Sequence, residues 1–397
     1  MTKPAIQYLC VSLSYWAFTL TDGALRILVL LFFHGLGYSP MQIASLFLLY
    51  EFFGMLTNLC GGWLAARIGL TRTLQIGLVV QIASLVMLLK DPSALTVTYV
   101  MLAQALSGIA KDLSKMSAKS SIKHLVPDQE QTKLYQWIAL LTGSKNAVKG
   151  AGFFLGGALL AGFGFQATIL LMIVLLAIVL TVGFFVLETH NGKATDKPTL
   201  RDTLVKSDRV NRLSAARMFL FCARDVWFVV ALPVFLQTQL GWSYVEVGVL
   251  MATWVIGYGA VQAIAPRITN VRNAVANGAM LSKWAGLLLT APCLMAVGLH
   301  FGINPSVVVI AGLLLFGLLF AINSSLHSYL IVAYARHDSV SLDVGFYYMA
   351  NAAGRLLGTI LSGVVYQQFG LASCLIISAL LIAASGIVAG RLPAQTD

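Results

Sequence analysis

Long apolar runs, each about as long as a membrane-spanning helix, fill most of this chain. A helix needs about 20 mostly apolar residues to cross a bilayer. We number twelve such runs as spans 1 to 12: 7–33, 40–66, 73–90, 95–122, 135–162, 166–187, 214–239, 244–265, 274–298, 306–334, 343–367 and 371–391. The pattern predicts an all-α integral membrane protein with twelve transmembrane helices.

One strongly polar stretch, 188–213, interrupts this pattern and contains six lysines and arginines. It predicts three parts, namely an N-terminal six-helix bundle at 1–188, a cytoplasmic central loop at 189–213 and a C-terminal six-helix bundle at 214–397. A chain of two six-helix sets is typical of transporters built from parallel repeats, with the substrate site near the midplane between them.

The two sets also resemble each other in sequence. LGYSPMQIASL at 36–46 is similar to LGWSYVEVGVL at 240–250, and LAARIG at 64–69 is similar to IAPRIT at 264–269. Asp22 lies 15 residues before Gly37, and Asp225 lies 16 residues before Gly241. We therefore expect Asp22 and Asp225 to occupy related places in two pseudo-symmetric bundles.

Composition and charge agree with a membrane protein. Of 397 residues, 58% are hydrophobic and 10% charged, whereas soluble proteins carry about 25% charged residues. The net charge of +11 does not indicate nucleic acid, because many of the cations lie inside apolar spans. The first residues run directly into span 1, which we interpret as an uncleaved helix. The five cysteines are scattered and form no metal or disulfide motif.

Loop cations predict the orientation, since lysines and arginines accumulate on the cytoplasmic side. With a cytoplasmic N-terminus, Lys90 is the one loop cation on the outer side. The inner side receives the six of the central segment together with Lys3, Arg67, Arg72, Lys123, Lys133, Arg267, Arg272, Arg336 and Arg391. Both termini are therefore expected in the cytoplasm.

Ten of the 26 lysines and arginines lie inside the spans: Arg26, Lys111, Lys115, Lys119, Lys145, Lys149, Arg217, Arg224, Lys283 and Arg355. The acids in the same spans are Asp22, Glu51, Asp112 and Asp225, with Glu246 near an edge. A charge at mid-bilayer costs about 2.5–3.5 kcal/mol on insertion scales, so it normally faces a cavity or a partner. This excess of cations predicts a bound, multiply charged anion.

The loop between spans 2 and 3 carries a family motif. It resembles G-x-x-x-D-R-x-G-R-K of the major facilitator superfamily: Gly62, Arg67, Gly69 and the basic Arg72 match, but Ala66 replaces the aspartate. The resemblance extends over the whole chain and implies a transporter whose gating loop lacks its usual acid. GAGFFLGG at 150–157 is similar to a glycine-rich motif of family exporters, and close helix packing is the alternative explanation.

Two longer runs resemble a narrower group. TDGALRILVLLFFHGLGYSPMQIASLFLLYEFFG and GIAKDLSKMSAKSSIKHLVP are similar to ArsJ-type organoarsenical efflux permeases. This resemblance implies arsenate resistance by export of 1-arseno-3-phosphoglycerate, the ester formed when arsenate replaces phosphate in glycolysis. It also implies a multi-pass protein of the bacterial cytoplasmic membrane.

The superfamily plan, in which spans 1, 4, 7 and 10 line the cavity and 2, 5, 8 and 11 flank it, places nine of the ten cations near the cavity. The expected substrate-binding residues are Arg26, Lys111, Lys115, Lys145, Lys149, Arg224 and Arg355. Lys111, Lys115 and Lys119 are four residues apart on one helix face and repel each other unless an anion lies among them. We expect Arg224 and Asp225 not to pair, because neighbouring residues point to different helix faces.

Other interpretations of these cations remain open. Lys119, Lys123, Arg217 and Lys283 can extend to the headgroups. Arg26 can form a purely structural pair with Asp22, four residues earlier, and the lysine pair of span 5 can belong to a network with Glu51 or Asp112.

Proton coupling is expected from the family rather than deduced. Asp22, Glu51 and Asp225 are the candidate ion-coupling residues, since burial and neighbouring cations act on a carboxylate in opposite directions. His327 titrates in a useful range, but a lone histidine is commonly just packed. Four tyrosines of spans 10 and 11 can donate to oxyanions, but as a set we expect them to anchor the protein at the membrane interface: Tyr329, Tyr334, Tyr347 and Tyr348.

The chain lacks the phosphate loop G-x-x-x-x-G-K-[ST], H-E-x-x-H and G-x-S-x-G. We therefore expect no enzyme activity, cofactor or metal, and transport driven by a gradient. The expected partners are a phosphate- or arsenate-bearing anion, the bilayer and protons, with no nucleic acid, and the protein is expected to act as a monomer. The alternatives are an organophosphate, sugar-phosphate or drug transporter of the same superfamily, and a membrane anion sensor that does not transport.

Overall fold

The computed structural model describes residues 3–37, 46–127, 129–188, 204, 206–242, 244–269, 277–336 and 340–392. Most of the predicted central loop and residues 38–45 of the first repeated segment lie outside these ranges. Every regular element in the described residues is helical. The all-α prediction is therefore confirmed for this part of the chain.

Eleven α-helices are described. They are α1 Lys3–Gly35, α2 Leu48–Ile68, α3 Leu70–Met87, α4 Val97–Leu125, α5 Gln131–Val186, α6 Asp208–Phe228, α7 Ala231–Thr238, α8 Tyr244–Ile268, α9 Gly278–His300, α10 Pro305–Tyr334 and α11 Val340–Gly390. Side-chain caps define several starts: the Thr96 hydroxyl accepts the backbone N–H of Tyr99, and Ser207 accepts that of Val210.

Two helices are too long to be single membrane spans. α5 has 56 residues and α11 has 51, which at 1.5 Å per residue far exceeds a hydrocarbon core of about 30 Å. Each bends at a glycine with positive φ, Gly164 (φ 77°) and Gly370 (φ 73°). Glycine tolerates this backbone conformation because it has no Cβ. The bends divide α5 into spans 5 and 6, and α11 into spans 11 and 12.

By length and apolar composition, eight helical stretches of the described residues can cross a membrane. In Gln131–Val186 only 22% of the most apolar window is buried within the protein. Phe184 and Phe185, near the end of this helix, are 67% and 80% exposed. Such large exposed apolar surfaces are stable in lipid rather than in water, so the chain is a multi-pass membrane protein.

The chain divides into two compact units, which do not coincide with its first and second halves. Unit 1 comprises the described residues within 1–130, 144–205 and 335–346. Unit 2 comprises those within 131–143, 206–334 and 347–397. The start of α5 therefore packs with unit 2, and the start of α11 packs with unit 1. The sequence-based boundaries at 188 and 214 remain a prediction.

In unit 1, glycines bring α5 into close contact with α1. A Cβ on Gly152 would lie 2.6 Å from the Leu20 carbonyl oxygen, and one on Gly156 would lie 2.4 Å from that of Ala24. On the α1 side, a Cβ on Gly23 would lie 2.8 Å from the Lys149 carbonyl oxygen. The glycine-rich motif of span 5 thus packs two helices at backbone distance.

Unit 2 repeats this arrangement. A Cβ on Gly354 of α11 would lie 2.2 Å from the Met218 carbonyl oxygen of α6, and one on Gly358 would lie 2.7 Å from that of Cys222. Arg26 lies two residues after Ala24, and Arg224 lies two residues after Cys222. The packing therefore relates Arg26 to Arg224.

This register corrects the expected relation between Asp22 and Asp225. Leu20 and Met218 occupy matching positions in the two helix contacts. Asp22 lies two residues after Leu20, so its counterpart is Leu220, two residues after Met218, and not Asp225. The similar distances from Asp22 to Gly37 and from Asp225 to Gly241 therefore do not reflect matching positions. The seventh span is interrupted, since α6 ends at Phe228 and α7 begins at Ala231.

Candidate substrate-binding groups

Tyr50 lies at the centre of the charged residues of unit 1. Its side chain is 2% exposed, and its hydroxyl donates a hydrogen bond of 2.6 Å to Asp22 Oδ1. The Lys111 amine lies 4.1 Å and the Arg26 guanidinium 4.8 Å from the centre of its ring. Cations are attracted to an aromatic face. Tyr50 therefore contacts Arg26 and Lys111 with its ring and Asp22 with its hydroxyl.

The carboxylates of this group are shared among the cations. Glu51 Oε1 lies 3.1 Å from Arg26 Nη2, and Glu51 Oε2 lies 3.6 Å from Lys111 Nζ. Asp112 pairs with both Lys111, at 3.5 Å, and Lys115. Asp22 Oδ2 lies 3.7 Å from Lys149 Nζ. A single connected network thus joins α1, α2, α4 and α5.

These contacts correct two expectations. Asp112, on the same helix and 2% exposed, supplies a negative charge among the lysines of α4. These lysines therefore do not depend on an external ligand alone for a counter-ion. The direct ion-pair partner of Arg26 is Glu51 rather than Asp22. The structural-network alternative for Lys149 applies in part, but its carboxylate partner is Asp22, not Glu51 or Asp112.

The network keeps access to its surroundings. The side chains of Arg26 and Glu51 are 31% and 50% exposed, and those of Lys111 and Lys149 are 22% and 26% exposed. Gly54 lies directly beside it, since a Cβ there would be 2.6 Å from Asp112 Oδ2. A side chain at position 54 would therefore displace the charges.

Three further lysines of unit 1 lie on the same two helices as the lysines of the network, α4 and α5. Lys145 is one helical turn before Lys149 and is half-buried. Lys119 and Lys123 are 3% and 6% exposed. Because they are buried inside unit 1, the alternative that they extend outward to headgroups is wrong.

In unit 2, Asp225 binds two arginines. Its side chain is fully buried; Oδ1 lies 2.5 Å from Arg224 Nε, and Oδ2 lies 3.3 Å from Arg355 Nε. The expectation that Arg224 and Asp225 do not pair is therefore wrong, because the side chains turn toward each other across the helix surface. Arg355, 47% exposed, obtains its acid from α6 rather than from its own helix.

Arg217 is the least expected residue of unit 2. It is 4% exposed and does not extend to headgroups, which corrects that alternative. Its Nε donates to Asn351 Oδ1 at 2.9 Å, and its Nη1 donates to Ser324 Oγ at 2.9 Å and Ser324 O at 3.2 Å. Lys283, in contrast, is exposed.

Three tyrosines expected at the membrane interface are buried instead, and His327 is buried as well. Tyr329, Tyr347 and Tyr348 are 0%, 0% and 7% exposed, so they do not anchor the membrane interface. The hydroxyl of Tyr329 donates to Gln131 Oε1 at 2.9 Å. His327 is 1% exposed and packed in the core of unit 2.

The predicted gating loop contacts the start of α11. The Ser341 hydroxyl donates to the Gly62 carbonyl at 2.9 Å, and a Cβ on Gly62 would lie 2.5 Å from the Ser341 carbonyl. Arg67 lies over the Trp63 ring at 4.6 Å. Arg72 is exposed, while Gly69 has φ 96° and joins α2 to α3.

The start of α11 carries a buried acid two residues after Ser341, whereas the loop has none at the family position. Ala66, in the place of the family aspartate, is 1% exposed. Asp343, in the first turn of α11, is also 1% exposed and accepts the backbone N–H of Arg336 at 3.2 Å. A carboxylate there is stabilised by the free N–H groups at a helix start.

Sequence reasoning missed Tyr50, Arg217 and Ser341 as members of these groups. Tyr50 directly precedes Glu51, and this adjacency was an available signal. Arg217 lies near the start of span 7, where the sequence favours extension to the headgroups, and Ser341 carries no charge. Among the described residues, no group of three histidine, cysteine or carboxylate side chains is arranged to hold a metal ion.

The long apolar helices, which contain buried charged groups, are those of a multi-pass membrane protein. The sequence profile of the Major Facilitator Superfamily matches residues 8–338 and 213–395. The chain belongs to the Major Facilitator Superfamily, whose members are transporters rather than enzymes. A search among curated protein sequences gave no match.

Solved structures of this superfamily share the fold. The human organic anion transporter MFSD10 (TETRAN) is 16% identical, with a TM-score of 0.75 over 98% of this chain and 100% of that one. A bacterial homologue of the iron transporter ferroportin, outward-facing, is 13% identical, with a TM-score of 0.76 over 99% of both chains. The proton:xylose symporter XylE is 12% identical, with a TM-score of 0.74 over 98% of this chain and 96% of that one.

Proposed function

We propose that this protein is an alternating-access secondary transporter that exports a small organic polyanion, and that this anion is 1-arseno-3-phosphoglycerate. Export of the ester would give the cell resistance to arsenate. The proposed location is the bacterial cytoplasmic membrane, with both termini in the cytoplasm and the monomer as the working unit.

The observation that carries the proposal is the sign of the charge inside unit 1. Four cations, Arg26, Lys111, Lys115 and Lys149, share three carboxylates, Asp22, Glu51 and Asp112, and Lys145 lies one helical turn before Lys149. Sharing of the carboxylates reduces the repulsion but leaves a positive sum. In a low-dielectric surrounding such a sum favours binding of an anion.

The cations have the chemistry that phosphate and arsenate groups require. A lysine amine is a compact charge with three donors, and a guanidinium can bind two oxygens of one group. We assign the first capture of the anion to the cations of unit 1, and a later contact to Arg224 and Arg355 of unit 2. Asp225 would hold these two arginines in place while the anion is absent.

The carboxylates provide candidates for coupling. Asp22, Glu51 and Asp225 each contact cations whose attraction changes when an anion arrives. We propose that one of them takes up the coupling proton. One solved relative is described as an organic anion transporter, which agrees with the substrate class, although a likeness at this identity shows the fold alone.

Expression in an arsenate-sensitive bacterium tests the substrate. We expect growth at higher arsenate and lower intracellular arsenic, both dependent on glyceraldehyde-3-phosphate dehydrogenase, because that enzyme forms the ester. Unchanged intracellular arsenic would remove the arsenical assignment. Transport of phosphorylated acids in vesicles, without any arsenate phenotype, would then favour an organophosphate transporter, and binding without accumulation would favour a sensor.

Substitution of single lysines tests the site. Lys111→Gln and Lys145→Gln each remove one charge while keeping a polar side chain, so we expect transport to be abolished with membrane insertion unchanged. Lys283→Gln is the control, since Lys283 lies in a span but is exposed. Transport that persists in both Lys111→Gln and Lys145→Gln would show that the binding residues are elsewhere.

A further inference from the structure

Arg217 is a buried cation that only neutral groups contact. Its hydrogen bonds go to Asn351 and Ser324, and its guanidinium lies 3.9 Å from the Phe221 ring centre and 5.3 Å from that of Tyr347. Among the described residues, no carboxylate lies within ion-pair distance of it. A buried charge without a counter-ion is costly.

Three buried polar atoms in this region have no well-formed hydrogen bond to any other group in the described part of the chain: His327 Nδ1, Ser328 Oγ and Tyr347 Oη. The two hydroxyls lie close enough to interact with each other. His327 and Ser328 lie one helical turn after Ser324, which accepts a hydrogen bond from Arg217, and the Tyr347 ring centre lies 5.3 Å from the guanidinium. Buried polar groups are nearly always paired, so these groups, beside a cation that no carboxylate contacts, are available to bind a ligand.

The chemistry of this set selects the ligand. A guanidinium and two hydroxyls are donors, and a histidine nitrogen can also donate. Their common acceptor is an oxyanion, because its several oxygens can receive donors from different sides. The nearby carboxylate, Asp225, is occupied by Arg224 and Arg355, which leaves the charge of Arg217 available.

We propose that Arg217, Ser328 and Tyr347, with His327, form an oxyanion subsite inside unit 2 that takes the tetrahedral phosphate or arsenate group of the transported ester. This inference rests on the proposed function. In the absence of ligand, Asn351 and Ser324 hold the guanidinium in position. The subsite is separate from the pair that Arg224 and Arg355 form with Asp225.

Asn351→Asp separates a binding role from a structural one. Its side-chain oxygen lies 2.9 Å from Arg217 Nε, so the new carboxylate would neutralise the guanidinium without a change of shape. We expect the ligand-free protein to melt at a higher temperature but to bind 3-phosphoglycerate more weakly, by roughly tenfold to a hundredfold. A purely structural Arg217 would give the higher melting temperature with unchanged affinity, which would overturn the proposal.

The full measurement uses purified full-length protein and 3-phosphoglycerate as the probe, with glycerate as the probe that lacks the phosphate. Arg217→Gln should weaken 3-phosphoglycerate binding to a similar extent, and Arg217→Lys should weaken it less. Arg212→Gln is the matched control, because Arg212 lies on the same helix and pairs with the exposed Asp208 at 2.8 Å.

The outcomes are distinct. Weakened 3-phosphoglycerate binding in Asn351→Asp and Arg217→Gln, but not in Arg212→Gln, supports the subsite. Wild-type binding that both variants retain overturns the subsite and leaves the proposed function intact. An equal loss for glycerate shows that Arg217 takes the carboxylate end, which overturns the tetrahedral assignment. No binding of 3-phosphoglycerate by the wild type counts against the proposed function itself.

Discussion

Asp225 illustrates how single residues determine the charge balance of this protein. It is fully buried, and each of its two oxygens pairs with a different arginine. Removing one partner of a buried ion pair leaves an uncompensated charge, whereas removing an exposed pair changes little. The same type of substitution should therefore have very different effects at buried and exposed aspartates of unit 2.

We expect Asp225→Asn to destabilise the protein by about 3 kcal/mol, since Arg224 and Arg355 would lose their shared carboxylate. Asp208→Asn is the control: Asp208 pairs with Arg212 at the surface, with side-chain exposures of 59% and 40%, and should cost less than about 1 kcal/mol. Denaturant unfolding in detergent measures both variants. Equal stability losses would show that Asp225 is not the central counter-ion.

The sequence predicts which charged residues lie in the interior, but not which residues they pair with. The lysine spacing of α4 was visible, yet the location of Asp112 between those lysines depends on side-chain rotation. Pairing of Arg26 with Glu51 across two helices requires the tertiary contact that Tyr50 organises. Arg217 shows the same limit, because its neutral partners lie more than a hundred residues away in the chain.

Among the elements, the contact of α5 with α1 depends on glycines at specific positions. Gly156 would place a Cβ 2.4 Å from the Ala24 carbonyl oxygen, but the next residue, Gly157, would meet only a Leu31 side-chain carbon at 3.8 Å. The first distance requires the helices to separate, and the second is an ordinary contact.

We therefore expect Gly156→Ala to destabilise the protein by about 1–3 kcal/mol and to reduce transport, because Lys149 and Asp22 would move apart. Gly157→Ala should be neutral or stabilising by up to about 1 kcal/mol. Thermal unfolding and vesicle transport measure the pair. A neutral Gly156→Ala would show that the two helices are not in backbone contact.

The contact between α2 and the start of α11 also lies beside two adjacent glycines, of which only one is tightly packed against backbone. A Cβ on Gly62 would meet the Ser341 backbone at 2.5 Å, whereas one on Gly61 would meet the flexible Leu113 side chain at 3.0 Å. We propose that the Gly62–Ser341 contact closes the gate whose usual aspartate is replaced by Ala66.

Gly62→Ala should open this contact and Gly61→Ala should not. The measurement is the labelling rate of Leu342→Cys, a position 3% exposed, by a water-soluble maleimide after the five native cysteines have been replaced by alanine. Faster labelling with Gly62→Ala alone is expected. Identical rates in both backgrounds would argue against a gating role for the contact.

For the whole molecule, the apolar pattern was sufficient to predict an all-α membrane fold, and the family profile and the solved relatives agree with it. The bends at Gly164 and Gly370 explain why helix number and span number differ. The distribution of α5 and α11 between two compact units was not predictable, since it depends on helix contacts rather than on hydropathy.

The central claim is that the positive interior binds an organic polyanion and moves it across the membrane. Inside-out vesicles containing the wild-type protein or Lys111→Gln provide the most direct test, with labelled 1-arseno-3-phosphoglycerate generated in the reaction mixture. We expect saturable, gradient-driven accumulation by the wild type and none by Lys111→Gln. Absence of wild-type accumulation, or equal accumulation by the variant, would contradict it.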